Sequence, residues 1–178
     1  MNKLLISGGR LRSTVFKKLE EWQSCDQAVL IELDVANNQS RKCVEYVSPR
    51  EVCPNELPAI LFKSAYIREN LLYACTSTEV LVYELPDYRV RHYISLPCFN
   101  DLHHVCATSW GTLLVVVTGL DMVVEVSTDG KVVREWGVLG QDPWARFSRS
   151  TDYRKVPTTK PHQSHPNHAF ELGQEVWV

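Results

Sequence analysis

Short apolar runs rich in β-branched residues dominate the chain: VLVYEL at 80–85, LLVVV at 113–117, MVVEV at 122–126 and KVVREW at 131–136. Gly, Asp, Pro and Ser separate them. Runs of this kind between turn formers predict β-strands. One segment follows a different rhythm. In Ser13–Trp22 the apolar residues Val15, Phe16, Leu19 and Trp22 recur at helical spacing behind Ser13 or Thr14 as an N-cap, which predicts one short helix.

The strands repeat. An offset of 42 residues carries EVLVYELPDYRVRH (Glu79–His92) onto DMVVEVSTDGKVVR (Asp121–Arg134) without a gap, placing Val80 on Met122, Val82 on Val124, Asp87 on Asp129 and Val90 on Val132. It also places Leu71 and Leu72 on Leu113 and Leu114, and Ile60–Phe62 on Leu102–His104. In the second unit the predicted strands are Leu102–Thr108, Leu113–Thr118, Met122–Ser127 and Lys131–Trp136, with Thr128-Asp129-Gly130 as the hairpin turn between the last two. An earlier partial unit reads Ala28–Asp34, a polar turn at Asn37–Ser40, and Arg41–Val47, with Leu4–Ser7 as a further strand. A later one reads SHPNHAFELGQEVWV (Ser164–Val178), with His168 over His104.

A period near 42 built from four short strands is the pattern of a β-propeller blade, whose faces are buried by neighbouring blades. The expected fold is all-β: β-propeller blades of four antiparallel strands in an incomplete ring. The expected division is a single partial domain over 1–178. Residues 1–57 form a partial first blade with the short helix, 58–99 and 100–139 form whole blades, 140–161 form an inserted basic loop, and 162–178 start the next blade. Because Val176-Trp177-Val178 stops inside a predicted strand, the chain is expected to be the N-terminal part of a longer protein. Self-association through open strand edges and an open arc are the alternatives.

Composition narrows the function. Lys and Arg number 19 against 21 Asp and Glu, a net charge of −2, which argues against a nucleic-acid footprint. No apolar run approaches the ~20 residues that span a bilayer, so no membrane association is expected. MNKLLISGGR has too short an apolar stretch for a signal peptide. The six cysteines form no CxxC pair and read as reduced thiols of a cytoplasmic protein.

Candidate chemistry concentrates in two windows, NDLHH (Asn100–His104) and HQSHPNH (His162–His168), at equivalent positions of successive units. These positions open the innermost strand of a blade, where side chains of neighbouring blades converge. His103, His104, His165 and His168 are the candidate catalytic residues. Asn100, Asp101, His104, Asn167 and His168 are candidate ligands for a divalent metal (calcium, zinc or manganese). The alternative is that these polar groups cap the blades. Between the windows, the 22-residue insertion Gly140–Pro161 carries Arg146, Arg149, Arg154, Lys155 and Lys160 against Asp142 and Asp152. With Trp144 and Tyr153 these cations are candidate binders of a small anionic or sugar-like molecule. Two readings follow: a hydrolase, lyase or transferase, or a non-catalytic module for a protein or glycan partner.

With the repeat and the windows in view, residues 28–178 resemble the six-bladed β-propeller group, which includes the NHL-repeat, gluconolactonase/strictosidine-synthase-like and arylsulfotransferase proteins. STDGKVVREW is similar to the outer hairpin of such blades. Asn100-Asp101 is similar to the Asn-Asp element that binds a divalent cation in the gluconolactonase-like branch. His104 and His168 resemble the channel histidines that act on substrate in the arylsulfotransferase-like and streptogramin-lyase-like branches.

Overall fold

A computed structural model describes residues 3–13 and 18–178. Among the described residues, thirteen strands form four antiparallel sheets in chain order. The first sheet is β1 (Lys3–Leu11), β2 (Cys25–Asp34) and β3 (Gln39–Tyr46). The second is β4 (Ser64–Arg68), β5 (Leu71–Cys75), β6 (Val80–Glu84) and β7 (Arg89–Ile94). The third is β8 (Leu102–Ala107), β9 (Thr112–Val117), β10 (Met122–Ser127) and β11 (Val132–Gly137). A hairpin of β12 (Phe170–Leu172) and β13 (Glu175–Trp177) follows. Of the helix expected over Ser13–Trp22, residues 14–17 lie outside the described residues; 18–20 form no regular element, and Glu21–Gln23 form a single 3-10 turn.

Period-two alternation explains why the middle strands are apolar on both sides. Leu72, Ala74, Leu81 and Tyr83 face the first sheet and pack with Ala28 and Leu30. Their alternates Tyr73, Cys75, Val80 and Val82 face the third sheet and pack with Leu113, Val115 and Val124. The other face of the third sheet, with Leu114, Val116 and Val123, packs against Ala169 and Val176 of the last segment. Each such aliphatic side chain contributes about 1.5–3 kcal/mol on burial, so neighbouring sheets stabilise one another. Four-stranded meanders, each buried by the next, are propeller blades, and the ring is not closed.

The turn after β10 follows the sequence reading: Gly130 sits at φ +83° and the Lys131 amide donates to Ser127 Oγ at 3.0 Å. The first strand of each unit does not. Ser64 pairs with Cys75 and Leu102 with Val117. Cys75 and Val117 are 42 apart, whereas Ser64 and Leu102 are only 38 apart, so Ile60–Phe62 are not the counterpart of Leu102–His104. The β4–β5 hairpin turns on Glu69-Asn70 alone, while β8–β9 uses Thr108–Gly111, with Gly111 at φ +87°. A bulge between Leu102 and His104 adds a further residue. Ile60 instead bridges Asp26, and Phe62 is buried between the first two sheets.

Candidate functional site

The two histidine windows meet in space. The rings of His104 and His168 lie 3.8 Å apart between centroids, tilted by 37°. His104 is buried and its Nδ1 accepts the Ala169 amide at 3.5 Å, while His168 is exposed. Burial, helped by the neighbouring His168, pushes the His104 imidazole down to about 4.

The bulge in β8 gives His103 a different set of partners. Its Nε2 lies 3.3 Å from Asp101 Oδ1 and its Nδ1 2.6 Å from Asn167 Oδ1. The Asn167 amide nitrogen donates to the His165 carbonyl at 3.1 Å, which fixes the end that Asn167 turns to His103. Lys63 Nζ approaches the same Asp101 oxygen at 3.2 Å. Burial opposes the charge on Asp101, but the His103 hydrogen bond and Lys63 outweigh it and hold the carboxyl well below its usual range. The His165 ring lies 5.1 Å from His103 and 4.9 Å from His162, with the His162 and His165 Nδ1 atoms 2.8 Å apart. Burial lowers His162, with opposing contributions from Asp101 and His165.

The expected metal ligands are divided among separate tasks. Asn100 is buried, and its amide nitrogen donates to the Tyr153 and Val156 carbonyls, both at 2.8 Å. Its Oδ1 accepts from Thr159 Oγ1 at 3.3 Å. Asp101 serves Lys63 and His103, Asn167 serves His103, and His104 stacks on His168. Among the described residues no three His, Cys, Asp or Glu side chains are grouped as a metal site requires.

The insertion lies as a strap across this end of the sheets. Arg146 donates to Asp121 Oδ2 at 2.7 Å and to the Pro161 carbonyl at 3.1 Å. Arg149 reaches Glu135 at 2.7 Å and lies over Trp144, whose indole N–H donates to the same carboxylate at 2.9 Å. Arg154 makes a two-pronged contact with Asp152 at 2.8 and 2.7 Å. Lys155 donates to the Arg50 carbonyl and, at 3.1 Å, to that of Cys53. Tyr153 is buried, and its hydroxyl accepts the Ser148 amide at 2.8 Å. Lys160 Nζ stands 5.4 Å from the centre of the Trp22 ring. The expected substrate cations are thus turned largely onto the protein itself.

The residue that organises the site is one the motif reading passed over. Asp121 accepts the amides of Gln163, Ser164 and His165 at 2.9, 2.8 and 3.1 Å and the Ser164 hydroxyl at 2.9 Å, besides Arg146. Burial raises the Asp121 carboxyl, yet these donors bring it down to about 2. Its signal was present in the repeat, which sets Asp121 on Glu79, an acid on an acid.

Beside the histidines lies a cleft of about 40 Å³ whose walls include Trp22, Lys63, Ser77, Thr78, Asp101 and Lys160.

No family model matches this sequence, and no curated protein does. Among solved structures it is similar to the Pan2 WD40 domain of Neurospora crassa, at 13% identity and TM-score 0.45, over 64% of this chain and 33% of that one. It is similar to a protein of unknown function from Bacteroides caccae, at 13% identity and TM-score 0.43, over 75% and 56%. BamB of Moraxella catarrhalis gives 8% identity and TM-score 0.21, over 64% and 59%. The chain spans between about a third and three fifths of the length of these proteins, and the fold assignment stands on sheet order and packing.

Proposed function

We propose that the chain belongs to a non-catalytic β-propeller module that binds a protein partner. The observation that carries this reading is the internal occupation of the polar mouth. A catalytic acid or base must be held toward a substrate atom. Here His103 has an oxygen acceptor at each ring nitrogen, and His104 is buried against Ala169 and His168. Arg146, Arg149, Arg154 and Lys155 bind carboxylates or carbonyls of the chain. Large apolar side chains of the third sheet stand outward instead: Trp110 and Val133 are 44% and 49% exposed. Exposed aromatic residues of this kind anchor protein interfaces. Six free thiols fit a reducing, cytoplasmic setting for such a module.

The test has two arms. Turnover of lactones, aryl sulfates and simple esters is measured for the wild type beside His103→Ala and His168→Ala. No histidine-dependent turnover is expected. In the second arm, proteins cross-linked to the wild type are compared with those cross-linked to Trp110→Ala/Val133→Ala, and specific partners are expected to fall away. Turnover abolished by either histidine substitution overturns the reading.

A further inference from the structure

We propose that the groove beside Trp110 takes a lysine or arginine side chain of the protein partner, held by the Glu125 carboxylate. This rests on the partner-binding reading and names the chemistry that the partner presents.

The groove runs between β10–β11 and the hairpin β12–β13, and its volume is about 340 Å³. Sites that enclose a ligand group measure ~300–1,000 Å³. Its walls include Trp110, Val133, Arg134 and Trp136. Period-two alternation sets its floor. Val123 and Glu125 share one face of β10; Val123 is fully buried there, and Glu125 is carried inward with it, at 3% exposed. Pairing places Arg134 across from Glu125 and Trp136 across from Val123.

The carboxylate is half used. Its Oε1 accepts the Trp110 indole N–H at 2.7 Å and the Thr112 hydroxyl at 2.6 Å. Among the described residues Oε2 accepts no hydrogen bond. Its ion partner is Arg134, whose Nε stands 4.0 Å away on a side chain 70% exposed. That separation is beyond hydrogen-bond reach, so Arg134 balances the charge from a distance and leaves the oxygen open. A carboxylate withdrawn from water is stabilised by a donor at each oxygen and a close cation. The bond that occupies Oε1 also fixes the Trp110 ring beside the carboxylate. Indole faces attract cations. An open carboxylate oxygen with two indoles in the walls selects a cationic side chain over a neutral or acidic one.

The probes are capped tripeptides with glycine on either side of arginine, lysine or citrulline, titrated into the isotope-labelled whole chain. Citrulline keeps the shape of arginine without its charge. The readout is the indole N–H resonances of Trp110 and Trp136, assigned with Trp110→Phe and Trp136→Phe. Saturable shifts are expected with the arginine or lysine peptide. Affinity should fall at least about tenfold in Glu125→Gln, which keeps an oxygen for the Trp110 N–H and the Thr112 hydroxyl but loses the charge. Arg134→Leu removes the competing guanidinium and should tighten binding. A response to one cation alone assigns the groove to guanidinium or ammonium and keeps the proposal. No saturable shift with either cation overturns it, as do equal affinity for the citrulline peptide, unchanged affinity in Glu125→Gln, or weaker binding in Arg134→Leu. Should Glu125→Gln not fold, the comparison of citrulline with arginine in the wild type decides. Cross-linked partners that fall away in Trp110→Ala/Val133→Ala, while neither cation shifts the indoles, leave the partner-binding reading standing and overturn this proposal alone.

Discussion

Glu79 and Asp121 hold the same place in successive sheets: each stands immediately before the third strand of its blade, and each is a buried carboxylate gathering donors from a neighbouring connection. Glu79 accepts the hydroxyls of Tyr46, Ser48, Thr76 and Tyr93. Asp121 accepts three consecutive backbone amides, the Ser164 hydroxyl and Arg146. One acid clasps the first sheet to the second. The other clasps the strap and the second histidine window to the third.

Asp121 gives the most direct prediction. In Asp121→Ala the amides of Gln163, Ser164 and His165 lose their acceptor. Unpaired buried donors cost ~1–3 kcal/mol each when water cannot reach them, so a loss of about 2 kcal/mol is expected. Hydrogen exchange at 163–165 should accelerate well before the sheet amides change. The folded-state carboxyl titrates near 2, below its ordinary 3.8, so the charged form stabilises the fold. That contribution is present above about pH 4 and is lost as pH falls toward 2. Unchanged exchange at 163–165 in the variant would sink this account.

Glu79 predicts a graded loss. Tyr93→Phe removes one of four hydroxyl donors and should cost about 1 kcal/mol. Glu79→Ala strands the hydroxyls of Tyr46, Ser48, Thr76 and Tyr93 together and should cost several times more. Burial and the adjacent carboxylate push the Tyr93 phenol up to about 12, so Tyr93 remains a donor at neutral pH. Denaturant unfolding of the two single variants and the double variant gives the coupling. Additive losses would show that Glu79 and Tyr93 act independently.

The acid limb of stability should carry the signature of His104. Its folded-state value near 4 lies below its ordinary 6.5, so the fold favours the neutral ring. The contribution is complete above about pH 6.5 and lost as pH falls toward 4, on the order of 2–3 kcal/mol. Denaturant unfolding across that range should show a steeper decline in the wild type than in His104→Gln, which keeps an acceptor for the Ala169 amide but cannot titrate. Identical slopes would remove His104 as the cause.

Much of the fold is legible in the sequence because the blades are buried on both sides. That condition forces VLVYEL and LLVVV to be continuously apolar, and it recurs with each blade. The outer hairpins keep their spacing because their turns are of similar length. The first strands do not, since a two-residue hairpin at Glu69-Asn70 faces a longer one at Thr108–Gly111, and a fixed offset cannot absorb the difference. The meeting of the histidine windows is legible for the same reason as the repeat: equivalent registers of adjacent blades lie side by side. The tasks of individual groups are not. Asn100 reads as a metal ligand in NDLHH, and only the path of the strap over it reveals that its amide is committed to Tyr153 and Val156. Arg146 and Arg149 read as ligand binders until Asp121 and Glu135, 25 and 14 residues away in sequence, come into place.

Gly119 tests whether the strap depends on that single asparagine. A Cβ at residue 119 would stand 2.1 Å from Asn100 Oδ1 and 2.8 Å from its carbonyl oxygen, far inside contact distance. Backbone and a buried side chain receive the clash, so it cannot be relieved by a flexible tip. Gly119→Ala should therefore displace Asn100 and break its bonds to the Tyr153 and Val156 carbonyls, along with the bond from the Thr159 hydroxyl to the Gly119 carbonyl. The sheets keep their own cores, since neither β9 nor β10 changes register. The expected result is a strap cut by limited proteolysis at Arg149, Arg154 or Lys155 at least about tenfold faster than in the wild type, with the circular dichroism of the sheets retained. Asn100→Ala should give the same cleavage pattern, because it removes the same two donors without the clash. If Gly119→Ala loosens the strap and Asn100→Ala does not, the asparagine is not what holds it, and the contacts of Arg146 and Lys155 carry the strap instead.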